Sequence, residues 1–235
     1  MKNAIFFVAF LSISVVVFSQ NPGEFQKSWI KMSIENLSQT AMDPDTLYTR
    51  YTFDKSKLYI SFYPGWDDYK QDWSIKKNNL TIGFSTYRVD ELTDTSLVIV
   101  ADGFRKLSFL AEEYLTNQEK YLDSIGVYNG KPLYKANNYI TPRYLMGKSL
   151  REELQKSVSG YGIPRANHFL VTFIVTENGE IENLKLIKGI IDGFDNNIIK
   201  QLQATSKAWK AAMYKSKPIQ TEMFFEIKYL DSIVR

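Results

Sequence analysis

The clearest hydrophobic pattern in the chain runs from Phe169 to Gly189. Phe169, Val171, Phe173 and Val175 alternate with Leu170, Thr172 and Ile174, and a two-residue period puts the two sets on opposite faces of a strand. Asn178-Gly179 follows, a pair that accepts the positive φ angles of a tight turn at low steric cost, and Ile181 to Ile187 returns as a second strand. Short-range alternation also fills much of the first half. Leu47, Thr49, Tyr51 and Phe53 share one face, and Lys57 to Tyr63 alternates up to the corner Pro64-Gly65. Asp72 to Phe84 places Asn78-Asn79 between two extended runs, and Tyr87 to Ala101 breaks at Thr93 to Thr95. Extended runs about 8–12 residues apart predict an antiparallel meander that curls, with the aromatics Tyr51, Phe53, Trp66 and Trp73 in its core. The pattern supplies roughly five or six strands, fewer than the eight of a small closed barrel, so a partial barrel is expected.

Helical spacing enters later. Leu107, Leu110, Tyr114 and Leu115 share a face and predict a short helix within Leu107 to Leu122. Thr116 to Gly147 has little pattern; Pro132, Asn137-Asn138 and Pro142 mark it as a connection between two lobes. Lys148 to Ser157 predicts a helix with Leu150 and Leu154 on one face, stopped by Gly160 and Gly162. Asp192 is positioned to cap a helix whose apolar stripe is Phe194, Ile198, Leu202 and Ile199. A basic loop around Trp209 leads to a last strand, in which Met223, Phe225, Ile227 and Tyr229 alternate with Glu222, Phe224, Glu226 and Lys228. The second lobe therefore reads α-β-β-α-β with a three-stranded antiparallel sheet, and the chain as a whole reads α+β.

Length and charge refine this. At 235 residues and 44% hydrophobic content, the chain can fold as one large or two modest domains. Residues 20–115 carry a net negative charge and residues 116–235 a net positive one, which fits two units. Lys2 followed by the uncharged run Ala4 to Phe18, with Val17 and Ser19 as small residues before Gln20, reads as a cleavable signal peptide over residues 1–19. An uncleaved anchor is the alternative, though a spanning helix needs about 20 apolar residues. The absence of Cys excludes a disulfide framework and suits a bacterial periplasm. The expected organisation is residues 1–19 signal peptide, 20–115 β lobe, 116–147 connection and 148–235 second lobe.

Candidate chemistry is sparse. His168 is the single histidine and sits among apolar neighbours at the start of a strand, a structural position. With one His and no Cys, the familiar zinc ligand sets are excluded. Gly147-Lys148-Ser149 ends like a phosphate loop, but Pro142 stands where the motif needs Gly. Asp67, Asp68 and Asp72 lack ordered cation-ligand spacing and read as solvated turn residues. Lys207, Lys210, Lys215 and Lys217, interleaved with Trp209 and Tyr214, read as a basic rim that can steer an acidic partner; in an exported chain nucleic acid is not expected. No catalytic group, metal or cofactor is predicted.

Two resemblances extend these readings. Trp29, "YTRYTF", "DWSIKKNNLTI" and "YRVDELTDTSLVIV" resemble lipocalin-like domains over Trp29 to about Leu115, which implies carriage of a small apolar ligand. "VTFIVTENGEIENLKLIKG", "DGFDNNIIKQL" and "AWKAAMYKSKPIQTEMFFEI" resemble the C-terminal domain of TonB-like proteins over about Lys148 to Tyr229, with Ala211 where that family has Pro. This second resemblance implies a last strand at a sheet edge, pairing with an extended segment of an envelope protein such as an outer-membrane transporter. The strand-pairing residues would be Gln220, Glu222, Phe224, Glu226 and Lys228. The expected function is a non-catalytic periplasmic binding or adaptor protein. A membrane-anchored TonB-type energy transducer and a small-ligand carrier are the alternatives.

Overall fold

In the computed structural model, residues 21–37, 47–101, 104–146, 149–161 and 167–229 are described. The proposed signal segment, the expected helix start at Lys148 and the expected stop at Gly162 lie outside them. A one-turn helix, α1 (Pro22–Phe25), precedes eight strands: β1 (Ser28–Asn36), β2 (Arg50–Phe53), β3 (Lys57–Ser61), β4 (Tyr69–Lys76), β5 (Asn79–Ile82), β6 (Ser85–Leu92), β7 (Ser96–Ala101) and β8 (Arg105–Ala111). Each pairs antiparallel with the next, and β8 pairs with β1 from Ala111↔Trp29 to Arg105↔Asn36, so the meander closes into an eight-stranded barrel. The expected partial barrel is thereby corrected.

The pattern undercounted the strands for local reasons. A register shift between Lys31 and Ser33 breaks the alternation of β1. In β8, Leu107 and Leu110 suggested a helix, but Phe109 and Ala111 are the residues buried at the strand's inner end. Only α2 (Glu112–Thr116) and a short 3-10 turn (Glu119–Tyr121) are helical there. The interior is filled by Phe25, Trp29, Phe53, Leu58, Trp73 and Phe109 with the aliphatics around them. Phe25, delivered by α1, lies 5.6 Å from the rings of both Phe53 and Trp73.

The second lobe is built on β9 (Ser124–Tyr128), β10 (Lys131–Lys135), β11 (Arg143–Tyr144), α3 (Leu150–Ser157), β12 (Asn167–Val175), β13 (Ile181–Lys188), α4 (Asp192–Ala204), β14 (Trp209–Lys210), β15 (Ala212–Tyr214) and β16 (Lys217–Tyr229). Its main sheet runs β13-β12-β16-β10-β9, with β15 also paired to β16. The expected three-stranded antiparallel sheet is wrong in two respects: the supposed connection contributes the hairpin β9–β10, and β10 runs parallel to β16. The turn between them is Asn129-Gly130, with φ 49° and 76°, the same dipeptide that marked the later hairpin. With 52% strand and 17% helix the chain is mostly β rather than α+β.

Two smaller expectations also change. In the β12–β13 turn only Gly179 takes a positive φ, 77°, and Asn178 does not. At the start of α4 the capping position is Ile191; the carboxylate of Asp195 accepts the Ile190 N–H at 2.9 and 3.0 Å, instead of Asp192 capping the helix. Helices α3 and α4 cover one face of the sheet, where Phe169, Phe173, Phe194, Ile198, Leu202 and Phe225 form a second core.

The lobes meet through the β3–β4 loop. Trp66 is buried in the second lobe's core rather than in the barrel, 6.1 Å from the ring of Phe225. Gly65, at φ 100°, lets the loop pass against Met223 and Pro142, and its carbonyl accepts the Tyr144 N–H at 2.6 Å.

Candidate functional site

The expected edge ran from Gln220 to Tyr229; the structure has its first three residues paired with β10. β12 pairs with β16 from Thr221 to Tyr229. On the other side β10 covers Gln220 to Glu222, where the chain leaves after the Ala136 N–H donates to the Glu222 carbonyl at 2.9 Å. That bond places the main-chain groups of Glu222 on the β10 side. The two-residue period of a strand then aims those of Phe224, Glu226 and Lys228 the same way. Among the described residues no strand pairs with them there.

The five predicted residues thus separate. Gln220 is buried, and its side-chain amide donates to the carbonyls of Tyr128 and Lys131 at 2.9 Å each, clasping the β9–β10 turn. Glu222 is half-buried and its backbone is already paired. Phe224 is 53% exposed, a large apolar side chain left in solvent beside the open edge. Glu226 contacts Lys228 at 3.0 Å and His168 at 3.3 Å. The alternate charges discourage indiscriminate pairing of the edge.

The basic rim is dispersed. Lys207 lies 3.5 Å from Glu180, Lys215 sits over the Tyr214 ring at 5.0 Å, and Lys217 starts β16. Only Lys210 reaches the cleft between the lobes.

At that junction the structure assembles a group of charges that no sequence spacing announced. Arg50, fully buried on β2, donates to Ser61 Oγ at 2.9 Å and Asp67 Oδ1 at 3.1 Å, and lies 3.8 Å from Glu112. Arg143, from β11, donates to Ser28 Oγ and Thr52 Oγ1 at 3.1 and 3.2 Å, and faces Asp67 at 3.5 Å and Glu112 at 3.7 Å. Two arginines and two carboxylates from distant segments therefore neutralise one another between barrel and sheet. Burial opposes ionisation of Asp67, but Arg50 and Arg143, with hydrogen bonds from Ser61 and Arg50, outweigh it and hold the carboxyl below its ordinary range. For Arg143, burial and the neighbouring Arg50 depress the guanidinium, the two carboxylates only partly compensating. Burial pushes the nearby Tyr48 hydroxyl up to about 12. Beside this cluster a cleft of about 340 Å³ opens between the lobes.

The three aspartates read as turn residues are drawn apart: Asp67 into the charge cluster, Asp68 onto the Phe62 N–H at 2.8 Å, and Asp72 onto Lys57. Arg143 and Glu112 were missed because their only signal, a charge beside a buried apolar residue, is common on any surface. Comparison with protein-family models, curated proteins and solved structures finds no match, so the TonB-like and lipocalin-like resemblances rest on the residues alone.

Proposed function

We propose that the chain is a non-catalytic binding protein of the bacterial periplasm that takes an extended segment of an envelope protein onto the open edge of β16. The observation that carries this is the run Phe224, Glu226 and Lys228, whose outward main-chain groups lie beyond the point where β10 departs. An added strand would continue the line of β10, gaining about 0.5–1.5 kcal/mol for each main-chain hydrogen bond. Exposed Phe224 offers an anchor, and Glu226 and Lys228 favour a segment with charges in complementary order. A carrier role for the barrel has less support, because its axis is occupied by Phe25, Trp29, Phe53, Trp73 and Phe109.

The test is a displayed peptide library selected against the full chain, with each selected peptide re-measured against Glu226→Pro. The Glu226 N–H points away from β12, so proline there removes one edge donor and obstructs an incoming strand without breaking the β12 ladder. Loss of binding by at least tenfold in a variant with an unchanged circular dichroism spectrum is expected. Selected peptides that bind the variant as well as the parent would refute the reading.

A further inference from the structure

We propose that one end of the barrel docks on a phospholipid bilayer, with three of its loop tips entering the lipid. The surface is independent of the β16 edge and shares no residue with it. In a closed antiparallel meander successive connections alternate between the barrel's two ends. At one end lie Asp54-Lys55-Ser56, Lys77-Asn78 and Thr93-Asp94-Thr95, without an apolar residue among them. At the other lie connections 37–49, 62–68, 83–84 and 102–104, and each presents an exposed large apolar side chain: Leu37, Phe62, Phe84 and Phe104. The 62–68 connection is committed to the second lobe through Trp66, which leaves three.

Folding makes little use of these side chains. Phe84 is fully exposed, Phe104 62% and Leu37 50%. In the β5–β6 turn Gly83, at φ 56°, meets the backbone demand, and nothing in the turn requires a ring beside it. The three lie close together: the Leu37 N–H donates to the Phe104 carbonyl at 2.8 Å, and the pair Tyr87↔Ala101 sets the Phe84 turn alongside the Phe104 turn. Apolar side chains on protruding turns at one end, opposed by polar turns at the other, suit entry into a fluid apolar phase. Lipid chains accommodate rings in any arrangement, whereas a folded partner needs a formed pocket for each. Charge selects the lipid. Connections 37–49, 83–84 and 102–104 contain Asp43, Asp45 and Asp102 and no Lys or Arg, so a zwitterionic surface suits them better than an anionic one. Arg105, exposed directly after Phe104, has no carboxylate within ion-pair distance among the described residues and can meet a lipid phosphate as the ring enters.

The chain has no cysteine, so Ser85→Cys beside Phe84 and Lys55→Cys at the opposite end each take a single NBD fluorophore in the full chain. Such a label reads its own end of the barrel whatever the N-terminus does. On phosphatidylcholine vesicles the label at position 85 should shift to the blue and brighten saturably, and the label at position 55 should not. Adding Phe84→Ser/Phe104→Ser removes two exposed rings and should weaken partitioning by about tenfold or more, with circular dichroism unchanged. Phosphatidylglycerol in the vesicles should not strengthen binding. No response at position 85, equal responses at both positions, a double variant that partitions as the parent does, or binding that requires phosphatidylglycerol would each overturn the proposal. A blue shift that appears without vesicles and grows with protein concentration would overturn it too, assigning the surface to a second copy of the chain.

Discussion

Replacing Arg50 with Met is the sharpest test of how the lobes are joined. Methionine keeps most of the side-chain volume, so the change removes charge and hydrogen bonds without opening a large cavity. Ser61 loses its donor, Asp67 keeps only the Ser61 hydroxyl as a hydrogen-bond donor, and Asp67 and Glu112 are left with Arg143 as their remaining cation. Arg50 is fully buried, and the side chains of Asp67 and Glu112 are 21% and 17% exposed, so solvent compensates little. Breaking one partner of a buried ion pair costs about 3–5 kcal/mol, and the surviving Arg143 puts this case near the lower bound. A loss of about 3 kcal/mol corresponds to a fall in Tm of roughly 6–12 °C for a chain of this size. Urea denaturation at two pH values checks the cause as well as the size. Asp67 has its carboxyl depressed in the folded state, so its contribution is fully present above the unfolded value of about 3.9 and fades as pH falls toward the folded value. The gap between parent and variant should therefore be widest near neutrality and narrow as pH falls below about 4. A gap below about 1 kcal/mol, typical of a surface pair, or one independent of pH, would refute the reasoning.

Other consequences follow from the same geometry. Trp66→Ala should destabilise by about 3–5 kcal/mol, because the ring fills the second lobe's core from the barrel's loop, and chemical denaturation should show both lobes affected. Gly179→Ala should cost at least about 2 kcal/mol in thermal unfolding: a Cβ there would lie 2.0 Å from the Trp209 carbonyl oxygen, at φ 77°. Asp195→Ala, which strips the Ile190 N–H of its acceptor at the start of α4, should cost about 1 kcal/mol or somewhat more in urea titrations, whereas Asp192→Ala should cost less.

Much of the strand content was legible because burial on one face forces alternation. The hairpin β12–β13, the runs β2 to β7 and the last strand all carry it. What the sequence concealed was closure and partnership. β8 hid behind a coincidence, since Leu107 and Leu110 fit a three-residue spacing as well as a strand, and β1 is bent by a bulge. Hairpin β9–β10 hid behind Pro132, although Asn129-Gly130 was a usable turn signal. Strand order is a further step removed. That β10 lies along Gln220 to Glu222 depends on a parallel pairing across about 85 residues, for which alternation gives no cue. The candidate edge was consequently drawn over a span whose first residues, Gln220 to Glu222, β10 already pairs. The interlobe charges were legible only as ordinary surface residues, because Arg50, Asp67, Glu112 and Arg143 meet solely through the tertiary fold.

No helix among the described residues is long and apolar enough to cross a membrane. The proposed binding role rests on the open edge of β16, and amide hydrogen exchange along that strand in the free protein tests the edge most directly. Thr221, Met223, Phe225 and Ile227 face β12 and should be strongly protected, while Phe224, Glu226 and Lys228 should exchange faster by two orders of magnitude or more, about 3 kcal/mol of local opening free energy. Uniform protection from Thr221 to Lys228 would mean that the edge is already covered, and the strand-pairing function would fall with it.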